Sequence, residues 1–443
     1  MDLNRDPVIG FDSKTVLSDF YDSLFVQCLL QHGLTLRTPS CVLPHRRGRR
    51  ANTVWHTFLD NLCFLCDWNR AGATVVSIGA EEVDGRVLFR LRSQPEHRER
   101  AKSHLEGVIN LLQAGIDLSE EGRLATADKL ASSAIDHSID KIYNYNYRLR
   151  KALTWASKSH SEGAIEKSVT VRQILIEPDK TLLDKIIESM PRRDPVWDLC
   201  SWARNFRQDP TFRELLMRLS RSPSKLLLMI HHFIGRLGYW HKASLSLVRH
   251  SLELKDLLLG AQILSLEMEG YGYDPKPTLD ADLISLASRV FPHFRDTPLC
   301  SALVHWMQEP KELLDRLKNR PLRCEPHAEA VVTDWFFVNG AKFVNDDRYV
   351  GCSKRSCFCC SLYMKLHPAK MHPRPTHGNV WVQWLFPRPL HLDLTDDGDA
   401  TQTLGLLIRM TDEIRRISQD ELTNSPQFRR QRFESTTGIS SSV

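Results

Sequence analysis

The chain has 443 residues, of which 42% are hydrophobic and 26% charged. That length and apolar content exclude a disulfide-stapled miniprotein and a wholly disordered chain, and they predict about two to three units, each with its own core. The balance of 59 Lys and Arg against 54 Asp and Glu, formally +5, neither requires nor forbids a nucleic-acid partner.

Even the strongest aliphatic run, Leu226 to Ile230, is stopped by His231 and His232. The opening residues, from Met1 to Asp6, lack a basic stretch followed by an apolar one. The expectation is a protein with no membrane span and no secretion signal, intracellular, in the cytoplasm or the nucleus. With an odd count of 11 cysteines, that setting favours reduced thiols and metal ligation over a disulfide framework.

Residues 1–50 form an N-terminal segment that mixes apolar stretches with the basic run His45 to Arg50. The run reads as a solvated loop, with a nuclear signal or a phosphate contact as alternatives. From Thr53 to Trp68 the residues Val54, Trp55, Phe58, Leu59, Leu62, Cys63, Leu65 and Cys66 recur at three- and four-residue spacing. With Asn52 or Thr53 as cap, they predict a helix. Thr74 to Gly79 and Arg86 to Arg92 read as strands, and Asp84-Gly85 between them signals a hairpin because both turn positions tolerate positive φ.

After Pro95 the pattern turns helical, over Leu182 to Met190, Phe212 to Leu219, Lys225 to Leu237, Leu245 to Leu266 and Leu283 to Val290. No repeat recurs at a fixed period, so residues 95–320 are expected to form an irregular helical block. Near Pro326 the alternation returns: a helix from His327 to Val338, a strand from Arg348 to Cys352, a helix from Cys357 to Leu366 and a strand from Asn379 to Phe386. An amphipathic segment, Thr403 to Ile417, completes a region over residues 321–420. Residues 421–443, ending in the Ser- and Thr-rich stretch Phe433 to Val443, are expected to be disordered.

Two short motifs each open a predicted helix: His327-Ala-Glu329 and, thirty positions on, Cys357-Phe-Cys-Cys360. Pro326 suits a first helical turn, so His327 and Glu329 should both lean toward a site beyond the helix end. Ser356 is a candidate cap for the second helix, which sets Cys357 and Cys360 at i, i+3 on one face of its first turn, with Cys359 on another. The positive end of the helix dipole favours thiolates there. One imidazole and two thiolates leave a fourth tetrahedral position for water, as a catalytic zinc site requires, and a carboxylate two residues from the histidine can shuttle that water's proton.

At this point the sequence resembles the cytidine deaminase-like superfamily, whose signature is H-x-E followed by P-C-x-x-C. Within it, His327 to Ala330 and Tyr349 to Cys360 are similar to the predicted nucleic-acid or nucleotide deaminase branch expanded in fungi. The resemblance implies Zn2+ held by His327, Cys357 and Cys360, with Glu329 as general acid and base. Ser356 stands where the superfamily usually has proline. The resemblance also implies an α/β, three-layer sandwich, a mixed sheet with flanking helices. No hairpin immediately precedes His327, so the helix and hairpin within residues 51–94 would be the first part of that domain, residues 321–420 the second, and residues 95–320 an all-α insertion. The activity implied is hydrolytic deamination of cytosine or adenine in nucleic acid or a nucleotide.

Other readings of the same residues stand beside this one. A closed structural zinc site could use Cys352, Cys357, Cys360 and one of His367, His372 or His377. The chain would then be a non-catalytic interaction protein whose helical block binds a protein partner. The second C-x-x-C, Cys63 to Cys66 with His56 upstream, reads as core sulfur on an apolar helical face. His231 and His232 read as residues of a helical bundle. Trp384 is a candidate for stacking on a base, with Trp381 on the opposite strand face, and packing of both in the core is the other reading; Gln94 is a candidate substrate-reading amide. Lys354, Arg355, Lys365, Lys370 and Arg374 gather around the second motif and point to nucleic acid, single-stranded among the options, as the substrate-bearing partner, with a solvated helix face as the alternative.

Overall fold

The computed structural model describes residues 13–33, 53–69, 72–161, 177–191, 195–210, 217, 225–267, 279, 282–319, 322, 324–388 and 398–424. In chain order these form α1 (Ser13–Gly33), α2 (Thr53–Cys66), β1 (Ser77–Val83), β2 (Arg86–Arg92), α3 (Arg98–Gly115), α4 (Glu120–His137), α5 (Ile139–Ser161), α6 (Glu177–Ser189) and α7 (Val196–Gln208). Next come α8 (Lys225–Leu237), α9 (Tyr239–Glu253), α10 (Lys255–Leu258), β3 (Gln262–Ser265), α11 (Leu283–Val290), α12 (Pro298–Gln308) and α13 (Lys311–Asn319). The remainder are β4 (Glu325–Pro326), α14 (Ala328–Val338), β5 (Val350–Cys352), α15 (Phe358–Leu366), β6 (Trp384–Leu385) and α16 (Gly398–Asn424). The described chain is mostly helical, with a small mixed sheet. None of its helices is long and apolar enough to cross a membrane.

Two compact units divide these residues: one holds 13–33, 266–350 and 355–424, the other 53–265 and 351–354. The division falls elsewhere than the sequence boundaries. Residues 266–320 go with the segments that carry His327, Cys357 and Cys360 because α11 and α12 bury Leu283, Leu286, Leu303 and Met307 in the same apolar cluster as Cys357 and Cys360. The N-terminal segment contributes α1, which buries Val16, Phe20, Leu24, Phe25, Val26 and Leu29 on every side and so carries no polar face for a periodicity reading to detect.

In the other unit, the sheet has the order β3-β2-β1-β5. The hairpin β1–β2 is antiparallel, with Ser77 opposite Arg92, and it turns at Asp84 (φ 50°) and Gly85 (φ 73°), the two positive dihedrals of a type I′ turn. Val87, Phe89 and Leu91 alternate inward on β2, and Trp55 of α2 lies 6.4 Å from Phe89, ring centre to ring centre. On β5, Gly351 is pressed against α2: a Cβ there would come within 2.8 Å of the Leu59 backbone, so only glycine permits this approach. The Ser77 hydroxyl donates to the Gly351 carbonyl at 2.6 Å, and the Ser353 amide donates to the Val76 carbonyl at 2.9 Å.

The sequence reading of one helix from Leu245 to Leu266 is corrected. Helix α9 ends at Glu253, Gly260 takes φ +78°, and β3 then pairs in parallel with β2, Leu88 opposite Gln262. Only Ile263 of the strand is buried, a period-two pattern that a helical reading averages away. The strand expected over Asn379 to Phe386 shortens to Trp384–Leu385, paired in parallel with Glu325–Pro326. The helix read over Leu182 to Met190 begins earlier, at Glu177, while those read over Lys225 to Leu237 and Leu283 to Val290 keep their limits. Phe212 to Leu219, apart from residue 217, lies outside the described residues, as do His45 to Arg50 and Phe433 to Val443.

The second unit also buries an ion pair. Asp67, at the end of α2, meets Lys141 of α5 at 3.1 Å, receives the Thr74 hydroxyl at 2.7 Å, and its backbone carbonyl accepts from the Lys141 ammonium at 2.6 Å. Burial works against the ionised Asp67 carboxyl, but Lys141, Lys354 and Thr74 outweigh it and hold that group below the usual carboxylate range.

Candidate metal centre

The first motif sits where a two-residue strand becomes a helix. Glu325 and Pro326 pair with β6, the Glu325 amide donating to the Gln383 carbonyl at 3.0 Å. His327 is therefore the N-cap of α14, in extended conformation (φ −77°, ψ 144°), with Glu329 buried in the first turn. Pro326 lies before the cap rather than in the helix, a correction that leaves His327 and Glu329 at the amino end. The second motif has the same construction. Cys357 is the N-cap of α15, and its sulfur accepts from the Cys360 amide at 3.4 Å. Ser356 is not the cap: its amide donates to Pro375 at 3.0 Å and its carbonyl accepts from the Thr376 hydroxyl at 2.7 Å, so it is committed to the following loop.

These two helix starts converge. His327 Nδ1 lies 3.4 Å from Cys357 Sγ and 3.3 Å from Cys360 Sγ, and the three donor atoms fall within 4.8 Å of one another. Among the described residues, this is the cluster of three or more histidine, cysteine or carboxylate ligands able to hold a metal ion. The spacing fits a zinc ion: ligand bonds of about 2.0 to 2.3 Å at tetrahedral angles separate nitrogen from sulfur by roughly 3.5 Å. Both sulfurs are buried. Burial pushes the Cys357 thiol up, but the Cys360 thiol bonded to it and the His327 imidazole together bring it down to about 6. The Cys360 thiol goes the other way, raised by its burial and by Cys357. Glu329 is outside the ligand cluster, yet its charge acts on both thiols, which sets the carboxylate beside the donors without making it one.

The supporting groups were not legible in the sequence. Asp334 of α14 accepts from the Tyr363 hydroxyl of α15 at 2.9 Å and takes Arg388 Nε on both carboxylate oxygens at 2.8 Å, fastening the two ligand-bearing helices together. Trp384 donates its indole N–H to Cys360 Sγ at 3.2 Å, while Tyr21 of α1 donates to the Trp384 carbonyl at 3.2 Å. Gln31 of α1 donates to Gly378 at 2.7 Å and accepts from the Val380 amide at 3.0 Å, so α1 holds the loop that follows the cysteine helix.

Trp384 is fully buried among Phe20, Tyr363 and Phe386 and has no face for a base, so the stacking expectation is corrected: it is a core residue with a hydrogen bond to sulfur. Trp381, by contrast, is 43% exposed. Gln94 caps the short turn Pro95–His97 in the second unit, its carbonyl accepting from the His97 amide at 3.0 Å. The histidines of the closed-site alternative face other partners: His367 Nδ1 accepts from the Ala369 amide at 3.2 Å, His372 Nε2 faces Asp347 at 3.4 Å, and His377 Nδ1 accepts from the Asn379 amide at 3.0 Å. Cys63 and Cys66 are core thiols, Cys66 pushed up by burial and by the Asp67 charge.

Three of the basic residues around the second motif are engaged within the fold. Lys365 pairs with Glu413 at 2.7 Å, Arg374 is buried over the Tyr349 ring and donates to the Val350 carbonyl, and Lys354 acts on Asp67. Lys370 is exposed, at φ +52°.

Residues 326–388 match the family model described as OTT_1508_deam-like deaminase. The match spans both motifs and the helices that carry them, His327 to Cys360, together with Trp384 and Arg388. No curated protein and no solved structure matches the chain.

Proposed function

We propose that the chain is a zinc-dependent hydrolytic deaminase acting on cytosine or adenine, in nucleic acid or in a nucleotide. One observation carries the reading: His327, Cys357 and Cys360, far apart in sequence, bring one nitrogen and two sulfurs to within 4.8 Å of one another at two helix starts, with Glu329 in the first turn of one of them. The match of residues 326–388 to a deaminase family supports it.

His327, Cys357 and Cys360 would hold the ion, which when bound supplies Lewis acidity that readies a water for attack at neutral pH. The chain's own contribution is a carboxylate with a fixed position. Glu329 is 4% exposed, on a helix held by the Asp334 bonds, so its oxygens are kept near the reacting atoms without bulk water between them. It takes one proton as the water oxygen bonds to the amino-bearing ring carbon and passes it to the adjacent ring nitrogen, which has gained the C=N electron pair. It then carries the added hydroxyl's remaining proton to the amino group, which leaves as ammonia with its bonding pair while the ring carbon becomes a carbonyl.

The discontinuous domain, with residues 51–94 and 321–420 flanking an insertion over 95–320, is part of the same proposal. Its support is that the hairpin β1–β2 and the strand Val350–Cys352 share one sheet. The three-layer sandwich belongs to the proposal as well.

Glu329→Gln tests the reading. The variant is expected to keep stoichiometric zinc by metal analysis and to lose ammonia release across a screen of nucleosides, nucleotides and oligonucleotides on which the wild type is active. Undiminished ammonia release would remove Glu329 from the mechanism. Zinc in a wild type that deaminates nothing in the screen would favour the interaction-protein reading.

A further inference from the structure

Large apolar side chains are exposed at few places among the described residues, and they are not scattered evenly. The exposed aromatic rings are Tyr143 (40%), Tyr147 (65%), Trp155 (59%) and Trp381 (43%), and three of these four lie on α5. Tyr143, Tyr147 and Trp155 fall in register at four- and eight-residue intervals, with Lys151 completing the series between Tyr147 and Trp155. Each four-residue step along a helix advances about 6 Å and turns about 40°, so the series forms one gently winding stripe roughly 18 Å long. The opposite face is buried: Ile142, Tyr145, Leu149, Ala152, Leu153 and Ala156 point into the unit. The rings therefore lie on the outward face of a well-seated helix.

The charge on the same helix selects the occupant. From Ile139 to Ser161 its sequence carries Lys141, Arg148, Arg150, Lys151 and Lys158 against Asp140 alone, in the first turn. Lys141 is spent on Asp67, and Arg150 on Asn146, whose side-chain oxygen it reaches at 3.0 Å. Lys151 is exposed within the stripe, its ammonium 5.3 Å from the centre of the Trp155 ring, and Arg148 follows Tyr147 directly. Rings about one helical turn apart, interleaved with cations, meet the two needs of single-stranded nucleic acid: π faces that accept any base and positive charge for the backbone between bases. Tyr, Trp and Arg anchor protein partners as well, so the rings alone do not choose between the two; the excess of cations over the single Asp140 along this helix is what favours a polyanionic strand.

We propose that the exposed Tyr143, Tyr147, Lys151 and Trp155 stripe of α5 is a binding platform for single-stranded nucleic acid. It deepens the deaminase reading by making the substrate a polymer, and it rests on that reading only for its purpose, because binding is measured without turnover. The helical block is then the part of the chain that holds the strand.

The test uses the full chain and fluorescently labelled single-stranded RNA and DNA oligonucleotides of about 20 nucleotides, with the matching duplex as comparison, followed by fluorescence anisotropy. The wild type should bind single strands in preference to duplex, with affinity falling as salt rises. Tyr147→Ala and Trp155→Ala should each weaken binding roughly 5- to 150-fold, and Lys151→Glu should weaken it and flatten the salt dependence. All three positions are exposed, so unchanged circular dichroism and melting temperature will show that the variants fold. Wild-type affinity in the folded variants would overturn the proposal, as would no binding of any single strand at low salt. Loss of a protein partner in the variants, with oligonucleotide binding unchanged, would overturn it in favour of a protein-docking face. Ammonia release plays no part, so a failed deaminase reading leaves the binding result standing, and the reverse.

Discussion

Acid should destabilise the second unit in part through one pair of histidines. His104 of α3 and His137 of α4 stack with ring centres 3.8 Å apart and planes 7° from parallel. Each is bonded to a backbone carbonyl at the end of α2, His104 to Leu65 and His137 to Cys66, while Nε2 of each is buried without a hydrogen-bond partner. Around them stand Arg100, whose guanidinium lies 4.5 Å from the Trp68 ring centre, and His97 and Asp67. Burial first, and then the Arg100 charge, brings His104 down to about 4; burial, His104 and Arg100 bring His137 to about 3. Both are thus neutral in the fold and protonate more readily once unfolded, so the stability they protect is complete above pH 6.5 and is lost as pH falls toward 4. With an unfolded value near 6.5, each costs about 2 kcal/mol at pH 5, an upper figure of about 4 kcal/mol for the pair. His231 and His241 are also held near 4 by burial, so the wild type will lose more than this pair accounts for. The discriminating measurement is urea unfolding at pH 7.5 and pH 5 of the wild type and of the His104→Gln, His137→Gln double variant. The loss on acidification should shrink by about 2 to 4 kcal/mol in the variant. An identical loss in both proteins would refute the reasoning, because neither imidazole would then be titrating against its burial.

Two further outcomes follow from buried polar contacts. Lys141→Met strands the Asp67 carboxylate without its ammonium and should destabilise the protein by about 3 to 5 kcal/mol in thermal or urea unfolding, with much of the loss recovered by adding Asp67→Asn. A single variant as stable as the wild type would show that the pair adds nothing. Trp384→Phe keeps an aromatic in the core and removes the N–H donor to Cys360, so zinc or cobalt affinity in a chelator competition should fall about 10- to 100-fold. Unchanged affinity would mean that this hydrogen bond does not act on the metal site.

The parts of this protein that the sequence made legible are those in which one residue's chemistry is sufficient to set local geometry. Asp84-Gly85 can supply two positive dihedrals in succession, and the hairpin turns there. The alternation in Arg86 to Arg92 has a buried side and is observed as a strand with those limits. The convergence of His327, Cys357 and Cys360 was legible for a related reason: side chains at helix starts need only local structure to aim them, and two helix starts are enough to gather three possible donors. What stayed hidden depends on partners distant in sequence. Helix α1 is apolar on all sides because α11, α12 and α16 surround it, so it has no amphipathic stripe, although Gln27 and Gln31 hinted at polar contacts inside an otherwise apolar run. Nothing near Asp334 names Tyr363 or Arg388, and nothing near Trp384 names a cysteine 24 positions earlier. The misplaced cap follows the same rule. Ser356 is the better cap by intrinsic preference, yet the loop from Pro375 to His377 claims its backbone, and Cys357, one residue later, takes the cap with the same sulfur that faces His327. A ligand that also caps its helix has its side-chain direction set twice. The helix start and the donor position therefore cannot drift independently.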